Sequence, residues 1–167
     1  MLKNSSSPRF SIRDMAIAGL IAALYAVLGY FANIFGLTFG PFQMRFSEAL
    51  CVLPFFFPAA VPGLAVGCLV VNLLSPYGAL DIIFGTLATL IGAVGTRLLR
   101  KRPLLALLPP IAANTVIVPF VLAYAYGLPG GVPLFMLTVG IGEVLSCGVL
   151  GRVLWKALDK RKEALFK

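Results

Sequence analysis

The chain carries very few charges between Ala16 and Leu154, and those inside its apolar runs are nearly all acids. Apolar residues make up 60% of the sequence and charged residues only 12%, whereas a soluble domain is about half apolar and about a quarter charged. A helical crossing of a bilayer needs about 20 mostly apolar residues, so the chain has room for roughly six crossings. The sequence therefore predicts an all-α membrane protein folded as a single bundle.

The basic residues form three clusters: before the first apolar run, in the middle of the chain and at its end. These are Lys3, Arg9 and Arg13; Arg97, Arg100, Lys101 and Arg102; and Arg152, Lys156, Lys160, Arg161, Lys162 and Lys167. Because basic residues accumulate on the cytoplasmic side of membrane proteins, we expect both termini and the central cluster in the cytoplasm. The clusters are not interleaved with a soluble fold, so the net charge of +8 does not indicate nucleic-acid binding.

Six helices of alternating direction satisfy this charge pattern. They are predicted at Ser11–Phe31, Met44–Phe57, Pro62–Leu74, Leu80–Leu99, Leu104–Tyr126 and Leu134–Leu158. The second and third are short, so the region from Met44 to Leu74 is either two spans or one re-entrant hairpin. We divide the chain into a cytoplasmic tail (residues 1–10), a six-helix membrane domain (11–158) and a basic cytoplasmic tail (159–167).

Polar side chains from several predicted helices fall in the outer half of this bundle. The candidate ligand contacts are Gln43, Arg45, Glu48, Asn72, Asp81, Asn114 and Glu143, with Tyr124 and Tyr126 at the outer rim. A bare carboxylate within the membrane is costly, so each acid requires a partner, a proton or a ligand. Carboxylates accept hydrogen bonds and pair with cations, which favours a donor-rich or cationic ligand.

Two of the three acids also have a structural interpretation. Arg45 and Glu48 are three residues apart and either pair with each other or face a ligand. Asp81 opens the fourth helix, where it either caps the helix or contacts a ligand. Glu143 has no basic residue close in sequence. We therefore expect Glu143 to matter most for binding, Glu48 to come second and Asp81 to matter least.

The sequence contains none of the GxSxG, HExxH, Walker A or CxxC motifs. It has no histidine, and Cys51, Cys68 and Cys147 lie in apolar runs without metal-ligand spacing. We therefore expect no metal, no cofactor and no enzymatic activity. Without a nucleotide-binding loop, any ATP-driven work would fall to another subunit.

Small residues form a stripe along the first helix. Ala18, Ala22 and Ala26 recur at every fourth position, which makes a smooth face for a second helix. That second helix belongs either to the same bundle or to a partner protein. Gly63 and Gly67 form a similar step, which we interpret as packing within the bundle.

The stretch from Gln43 to Asp81 carries a specific resemblance. It consists of QMRFSEALCVLPFF (Gln43–Phe56), PAAVPGL (Pro58–Leu64), Gly67-Cys68, Asn72-Leu73 and YGALD (Tyr77–Asp81). These residues resemble the QueT family, whose members are substrate-binding S components of energy-coupling factor (ECF) transporters assigned to queuosine precursors.

The resemblance implies a six-helix S-component bundle in the plasma membrane of a prokaryotic cell, with a site that opens outward. The implied cargo is a 7-deazaguanine such as queuine or its aminomethyl precursor. The implied partners are a transmembrane coupling protein and two cytoplasmic ATPases. In S components an AxxxA motif on the first helix docks the coupling protein, and Ala18, Ala22 and Ala26 match that motif. The alternatives are a small carrier coupled to protons through Glu143 and, from another class, an intramembrane enzyme.

Overall fold

The computed structural model of the protein describes residues 10–39, 42–76, 78–125, 127 and 130–161. All regular elements in these ranges are helical, which confirms the predicted all-α fold class. The helices are α1 (Ile12–Ile34), the 3-10 helix η1 (Phe46–Phe55), α2 (Ala60–Asn72), α3 (Ala79–Leu98), α4 (Leu108–Phe120), α5 (Val132–Glu143) and α6 (Gly151–Asp159). Most of the two predicted tails lies outside the described residues, as does Tyr126.

Irregular helical turns extend several of these elements. A 3-10 turn (Leu105–Leu107) leads into α4, a π-helical turn (Val121–Ala125) follows α4, and a π-helical segment (Val144–Leu150) joins α5 to α6. The last three elements of the chain thereby form one apolar helix, Val132–Asp159. At the other end of the chain, α1 starts with a capping box in which Ser11 and Asp14 bind each other's backbone N–H groups.

Four helical stretches are long and apolar enough to cross a membrane, namely Ile12–Ile34, Ala79–Leu98, Leu105–Tyr124 and Val132–Asp159. The other two, η1 and α2, are apolar but have only 10 and 13 residues. A 3-10 helix rises about 2.0 Å per residue and an α-helix about 1.5 Å, so each covers about 20 Å. The hydrocarbon core is about 30 Å thick, so neither spans it alone.

The structure corrects the predicted second helix. We expected an α-helix from Met44 to Phe57, whereas η1 is a 3-10 helix confined to Phe46–Phe55. Pro54 lies inside it and has no N–H to donate to the α-helical ladder. The tighter 3-10 coil rises about 2.0 Å per residue, further than an α-helix does, so these residues extend over a longer distance along the helix axis.

Contacts at the two ends of η1 show that it runs through the bundle. Its first ring, Phe46, lies 6.3 Å from Phe31 near the C-terminal end of α1. At its other end, Arg97 Nη1 at the end of α3 donates to the carbonyl oxygens of Pro54 at 3.2 Å and Phe55 at 3.4 Å. Together with the residues that flank it, η1 therefore runs from one end of the bundle to the other, which favours two separate passes over a single re-entrant hairpin.

Successive helices alternate in direction, as the charge pattern predicts. Gly63 and Gly67 of α2 pack against Ala18 and Ala22 of α1 in the same order, so α1 and α2 run parallel with η1 returning between them. Cys68 and Asn72 pack against α3 in reverse order, near Thr89 and Asp81. The remaining helices continue the alternation.

The central and C-terminal basic clusters lie at one end of the bundle. Arg97 reaches the end of η1, and the ring of Phe55 there stacks edge-on against Trp155 of α6 at 5.9 Å. The start of α1 faces the start of α2 at this same end. The outer surface is covered with exposed large apolar side chains, including Leu20, Leu87 and Leu137. Such a surface suits lipid rather than water, and the chain is a multi-pass membrane protein.

Candidate functional site

Glu48 lies at the centre of the bundle, on the first turn of η1. Its side chain is fully buried. The hydroxyl of Tyr25 in α1 donates to Glu48 Oε1, and the thiol of Cys51 donates to Glu48 Oε2 at 2.9 Å. Both carboxylate oxygens therefore have a donor from within the protein, as a buried carboxylate requires.

Arg45 precedes η1 and is only 3% exposed. Its Nε donates to the carbonyl oxygen of Thr38 at 3.2 Å, and its Nη2 donates to Asn72 Oδ1 at 3.0 Å. The guanidinium carbon lies 5.5 Å from the centre of the Phe39 ring, within cation–π range. Arg45 and Glu48 thus hydrogen-bond to other partners rather than to each other, contrary to the pairing that their spacing allows.

Asn72 ends α2 and connects Arg45 to α3. Its amide nitrogen lies 3.3 Å from the carbonyl oxygen of Asp81 and 3.3 Å from Cys68 Sγ. The same nitrogen packs so closely against Gly85 that an added Cβ would lie 2.6 Å away. Glycine at this position lets α3 approach the polar cluster. Tyr25, Arg45, Glu48 and Asn72 are called the partnered group below.

Three other candidate residues are buried with an acceptor oxygen that has no hydrogen-bond partner among the described residues. These are Asp81 Oδ2, Asn114 Oδ1 and Glu143 Oε2, on side chains that are 4%, 1% and 5% exposed. The amide nitrogen of Asn114 donates one of its two N–H groups to the carbonyl oxygen of Pro110 at 3.2 Å, and it also lies within hydrogen-bond reach of Glu143. Asp81, Asn114 and Glu143 are called the open group below.

The open group lies within electrostatic range of the partnered group. Glu143 interacts with the charges of Glu48 and Arg45, and Asn114 lies within hydrogen-bond reach of its carboxyl group. Asp81 interacts with the charge of Arg45. The structure therefore brings Arg45, Glu48 and the open group into one buried polar cluster that draws on η1, α3, α4 and α5.

Gln43 lies at the edge of this cluster, 6% exposed. Its carbonyl oxygen packs directly against Gly142, next to Glu143, where a Cβ would overlap it. The absence of a side chain at Gly142 allows the segment before η1 to meet the last helix. All seven sequence-predicted contacts are thus buried. Tyr124, by contrast, is 79% exposed.

The structure does not give Asp81 a capping hydrogen bond. Gly78 occupies the N-cap position of α3, and Asp81 lies in the first turn. Its carboxylate still complements the positive end of the helix dipole. Its unpartnered Oδ2 nevertheless groups Asp81 with Asn114 and Glu143 rather than with the side chains that hold the fold together.

Three residues of the cluster were absent from the sequence prediction. Tyr25, Cys51 and Thr38 donate to or accept from the predicted residues. Tyr25 carried a usable signal, because it lies between Ala22 and Ala26 on the small-residue stripe, where a bulky polar side chain is unexpected. Thr38 contributes only its backbone oxygen to Arg45. Every residue type has such an oxygen, so the sequence could not indicate this contact.

The alanine stripe faces α2 through its backbone. Cβ atoms built on Gly63 and Gly67 would lie 2.7 Å and 2.9 Å from the carbonyl oxygens of Ala18 and Ala22. The predicted internal packing of the two glycines is confirmed. The side chains of Ala18, Ala22 and Ala26 remain only partly buried, so the stripe also borders the outer surface of the bundle.

The cluster retains buried oxygen atoms that accept no hydrogen bond from the described residues. Unpartnered buried acceptors can receive N–H donors from a ligand, and two carboxylates can each accept a pair of parallel hydrogen bonds. Among the described residues, no three His, Cys, Asp or Glu side chains gather closely enough to hold a metal ion. The three unpartnered oxygens are complementary to hydrogen-bond donors.

Comparison with known proteins agrees with this architecture. Residues 15–160 match the family described as QueT transporter. A 78-residue stretch is 33% identical to the queuosine precursor transporter QueT of Lactococcus lactis subsp. cremoris (strain MG1363). That alignment covers 47% of this chain and 46% of the relative, so it spans about half the length of each. No solved structure is significantly similar to the chain. The family match extends over most of the chain, which belongs to the QueT transporter family.

Proposed function

We propose that this chain is the substrate-binding S component of an ECF importer and that it takes up a queuosine precursor. Membership of the QueT transporter family supports a role in transport. The name of the Lactococcus relative supports the class of cargo. The buried cluster of unpartnered acceptors in the membrane domain supplies the site and is the observation that carries the proposal.

The chemistry of a 7-deazaguanine complements the open group. Its guanine-like edge presents a ring N–H beside an amino group, which one carboxylate accepts in two parallel hydrogen bonds. In queuine and the aminomethyl precursor, an amine on the opposite side of the ring system offers a positive charge to a second carboxylate. Glu143 and Asp81 supply the two carboxylates, and the amide oxygen of Asn114 accepts one further donor. The wall behind these three ligand-binding residues consists of Gln43, Arg45, Glu48 and Asn72.

The proposed partners are those that the resemblance to S components implies, namely a transmembrane coupling protein and two ATPase subunits. The chain itself carries no nucleotide-binding loop, so in such an importer ATP hydrolysis falls to those subunits. The partly exposed stripe Ala18, Ala22 and Ala26 on α1 is the proposed docking face. Gly19 and Ala23 are exposed beside it and keep that face smooth.

The docking face is tested by Ala22→Leu, with Val27→Leu as a control on the exposed side of the same helix. Ala22→Leu should abolish co-purification of the ATPases and uptake while the purified chain still binds ligand. Val27→Leu should preserve both. Because Ala22 also touches Gly67, equal losses of ligand binding and uptake would show that the stripe serves internal packing alone.

Uptake of labelled queuosine precursors tests the function as a whole. Cells with and without this chain are compared, each with intact ATPases or with ATPases inactivated at their nucleotide site. Uptake that needs both the chain and active ATPases supports the proposal. Uptake that needs the chain alone would make it a self-sufficient carrier, and a chemically altered product would make it an enzyme.

A further inference from the structure

We propose that the buried cluster exchanges a proton for its cargo: the empty site holds a proton on Glu143, and binding of a cationic ligand releases it. This inference rests on the proposed function, because it concerns the same site. It adds that occupancy is linked to pH and that the charge on the cargo, as well as its hydrogen-bonding edge, is recognised.

The charges of the cluster do not balance. It contains three acids, Glu48, Asp81 and Glu143, and one base, Arg45, and none of these side chains is more than 5% exposed. If all four were ionised, the bundle would enclose two excess negative charges. Uncompensated charge inside a membrane protein is costly, and the group instead takes up a proton or finds a cation.

Glu48 is the acid whose two oxygens are most fully partnered in the empty site. Its two oxygens receive hydrogen bonds from Tyr25 and Cys51. Arg45 supplies positive charge to both Glu48 and Asp81.

Glu143 has the opposite surroundings. It lies within electrostatic range of Glu48, which carries the same sign, and of Arg45. Asn114 lies within hydrogen-bond reach of it from α4, and the thiols of Cys51 and Cys147 are its other titratable neighbours. Its Oε2 has no partner among the described residues. Glu143 is therefore the acid that holds a proton while the site is empty.

A ligand ammonium reverses this balance. At low dielectric an ammonium beside Glu143 stabilises the carboxylate far more than it would in water. The O–H bond of the Glu143 carboxyl group breaks, its proton passes to solvent, and the remaining carboxylate pairs with the ammonium. The charge of the site is then the same before and after binding, because one cation has replaced another. A neutral ligand provides no such exchange and leaves the proton on Glu143.

Titration calorimetry of the purified chain measures the proton directly. The aminomethyl 7-deazaguanine is titrated at one pH in two buffers that differ in ionisation enthalpy. The difference in apparent binding enthalpy should correspond to about one proton released for each ligand bound. The neutral 7-cyano analogue should bind more weakly and release none. Binding enthalpy that is the same in both buffers would overturn the inference while leaving the proposed function intact, whereas no binding of either compound would overturn the proposed function.

Substitutions locate the proton. Glu143→Gln should retain the fold and residual binding but release no proton, and Asp81→Asn, which removes another buried acid, should still release it. Thr96→Val serves as a control for losing a buried hydrogen bond far from the cluster, since Thr96 donates to Ala106. Proton release that persists in Glu143→Gln and disappears in Asp81→Asn would overturn the assignment to Glu143. If Glu143→Gln does not fold, the shift of affinity with pH in the unmodified chain decides: the cationic ligand should bind more tightly as pH rises, and a flat profile would refute the exchange.

Discussion

The partnered and the open groups are equally buried but differ in how their polar atoms are used. Tyr25, Arg45, Glu48 and Asn72 bond to one another, to cysteine sulfurs or to backbone carbonyls. Asp81, Asn114 and Glu143 each retain an unpartnered oxygen. A buried polar atom without a partner costs about 1–3 kcal/mol, so the open group weakens the empty protein in a way that a ligand can reverse.

The two groups also occupy different parts of the fold. The partnered group joins α1, η1 and α2, the part of the bundle that contains both short helices. These short elements contribute much of the main apolar core, including Val52 and Leu64, and hydrogen bonds of the partnered group join them to each other and to α1. The open group lies on α3, α4 and the last helix, which are long enough to span the membrane without such anchors.

The largest expected effect is that of Arg45→Met. It keeps an apolar stem but removes the bonds to Thr38 and Asn72 and leaves Glu48 and Asp81 without their counter-ion. A hydrogen bond to a charged group contributes about 1.5–3 kcal/mol, and the variant loses two of them, so it should melt far below the unmodified chain. Arg97→Met, at the end of the bundle, is the matched control and should be much milder. A stable Arg45→Met that no longer binds ligand would move Arg45 into the ligand-facing set.

Glu143→Gln should have the second-largest effect, and we expect it to weaken ligand binding. It preserves the shape of the side chain but replaces an acceptor with a donor and removes the charge. A charged hydrogen bond contributes about 1.5–3 kcal/mol, which corresponds to roughly ten- to a hundredfold weaker binding. Titration of the purified variant with a queuosine precursor measures this.

The structure changes the effect that we expect of Glu48→Gln on ligand binding. From sequence alone we expected the order Glu143, Glu48 and Asp81. Glu48 is already bound by Tyr25 and Cys51, whereas Asp81 has an unpartnered Oδ2 and no capping bond. We now expect Asp81→Asn to weaken binding more than Glu48→Gln, and Glu48→Gln to act mainly on the melting temperature. The reverse order of affinities would restore the expectation from sequence.

Gly142→Ala should come third, because it forces apart the two parts of the site. The new Cβ would overlap the carbonyl oxygen of Gln43, a backbone atom that no rotamer change can move. Overpacking of this kind typically costs about 1–3 kcal/mol. Gly19→Ala is the matched control, because nothing lies within 4 Å of the added carbon. Thermal melting should separate the two, and equal melting temperatures would show that the last helix is free to move away from Gln43.

The sequence predicted the six helices and their alternation because apolar length and basic clusters are properties of each segment taken alone. It also singled out seven polar residues, since an acid or amide inside an apolar run is conspicuous, and all seven are buried; their contact with a ligand stays a prediction. It missed the division into two groups, which depends on which atoms meet in space. From sequence, Arg45 was the only candidate partner of Glu48, whereas in the structure Tyr25 and Cys51 donate to its two oxygens. It also missed the 3-10 form of η1, because 3.0- and 3.6-residue periods are hardly distinguishable over ten residues.

Tyr25→Phe should have the smallest effect and tests the division most directly. It removes only the hydroxyl that donates to Glu48 and leaves the aromatic packing of α1 in place. Glu48 keeps the Cys51 thiol, so stability should fall by about 0.5–1.5 kcal/mol, the usual net contribution of one hydrogen bond. Tyr30→Phe, on the exposed face of the same helix, should leave the melting temperature unchanged. Ligand affinity should be the same in both variants, because Tyr25 holds Glu48 within the partnered group and away from the cargo. A loss of affinity in Tyr25→Phe as large as that in Glu143→Gln would mean that Glu48 binds the ligand and that the two groups form a single site.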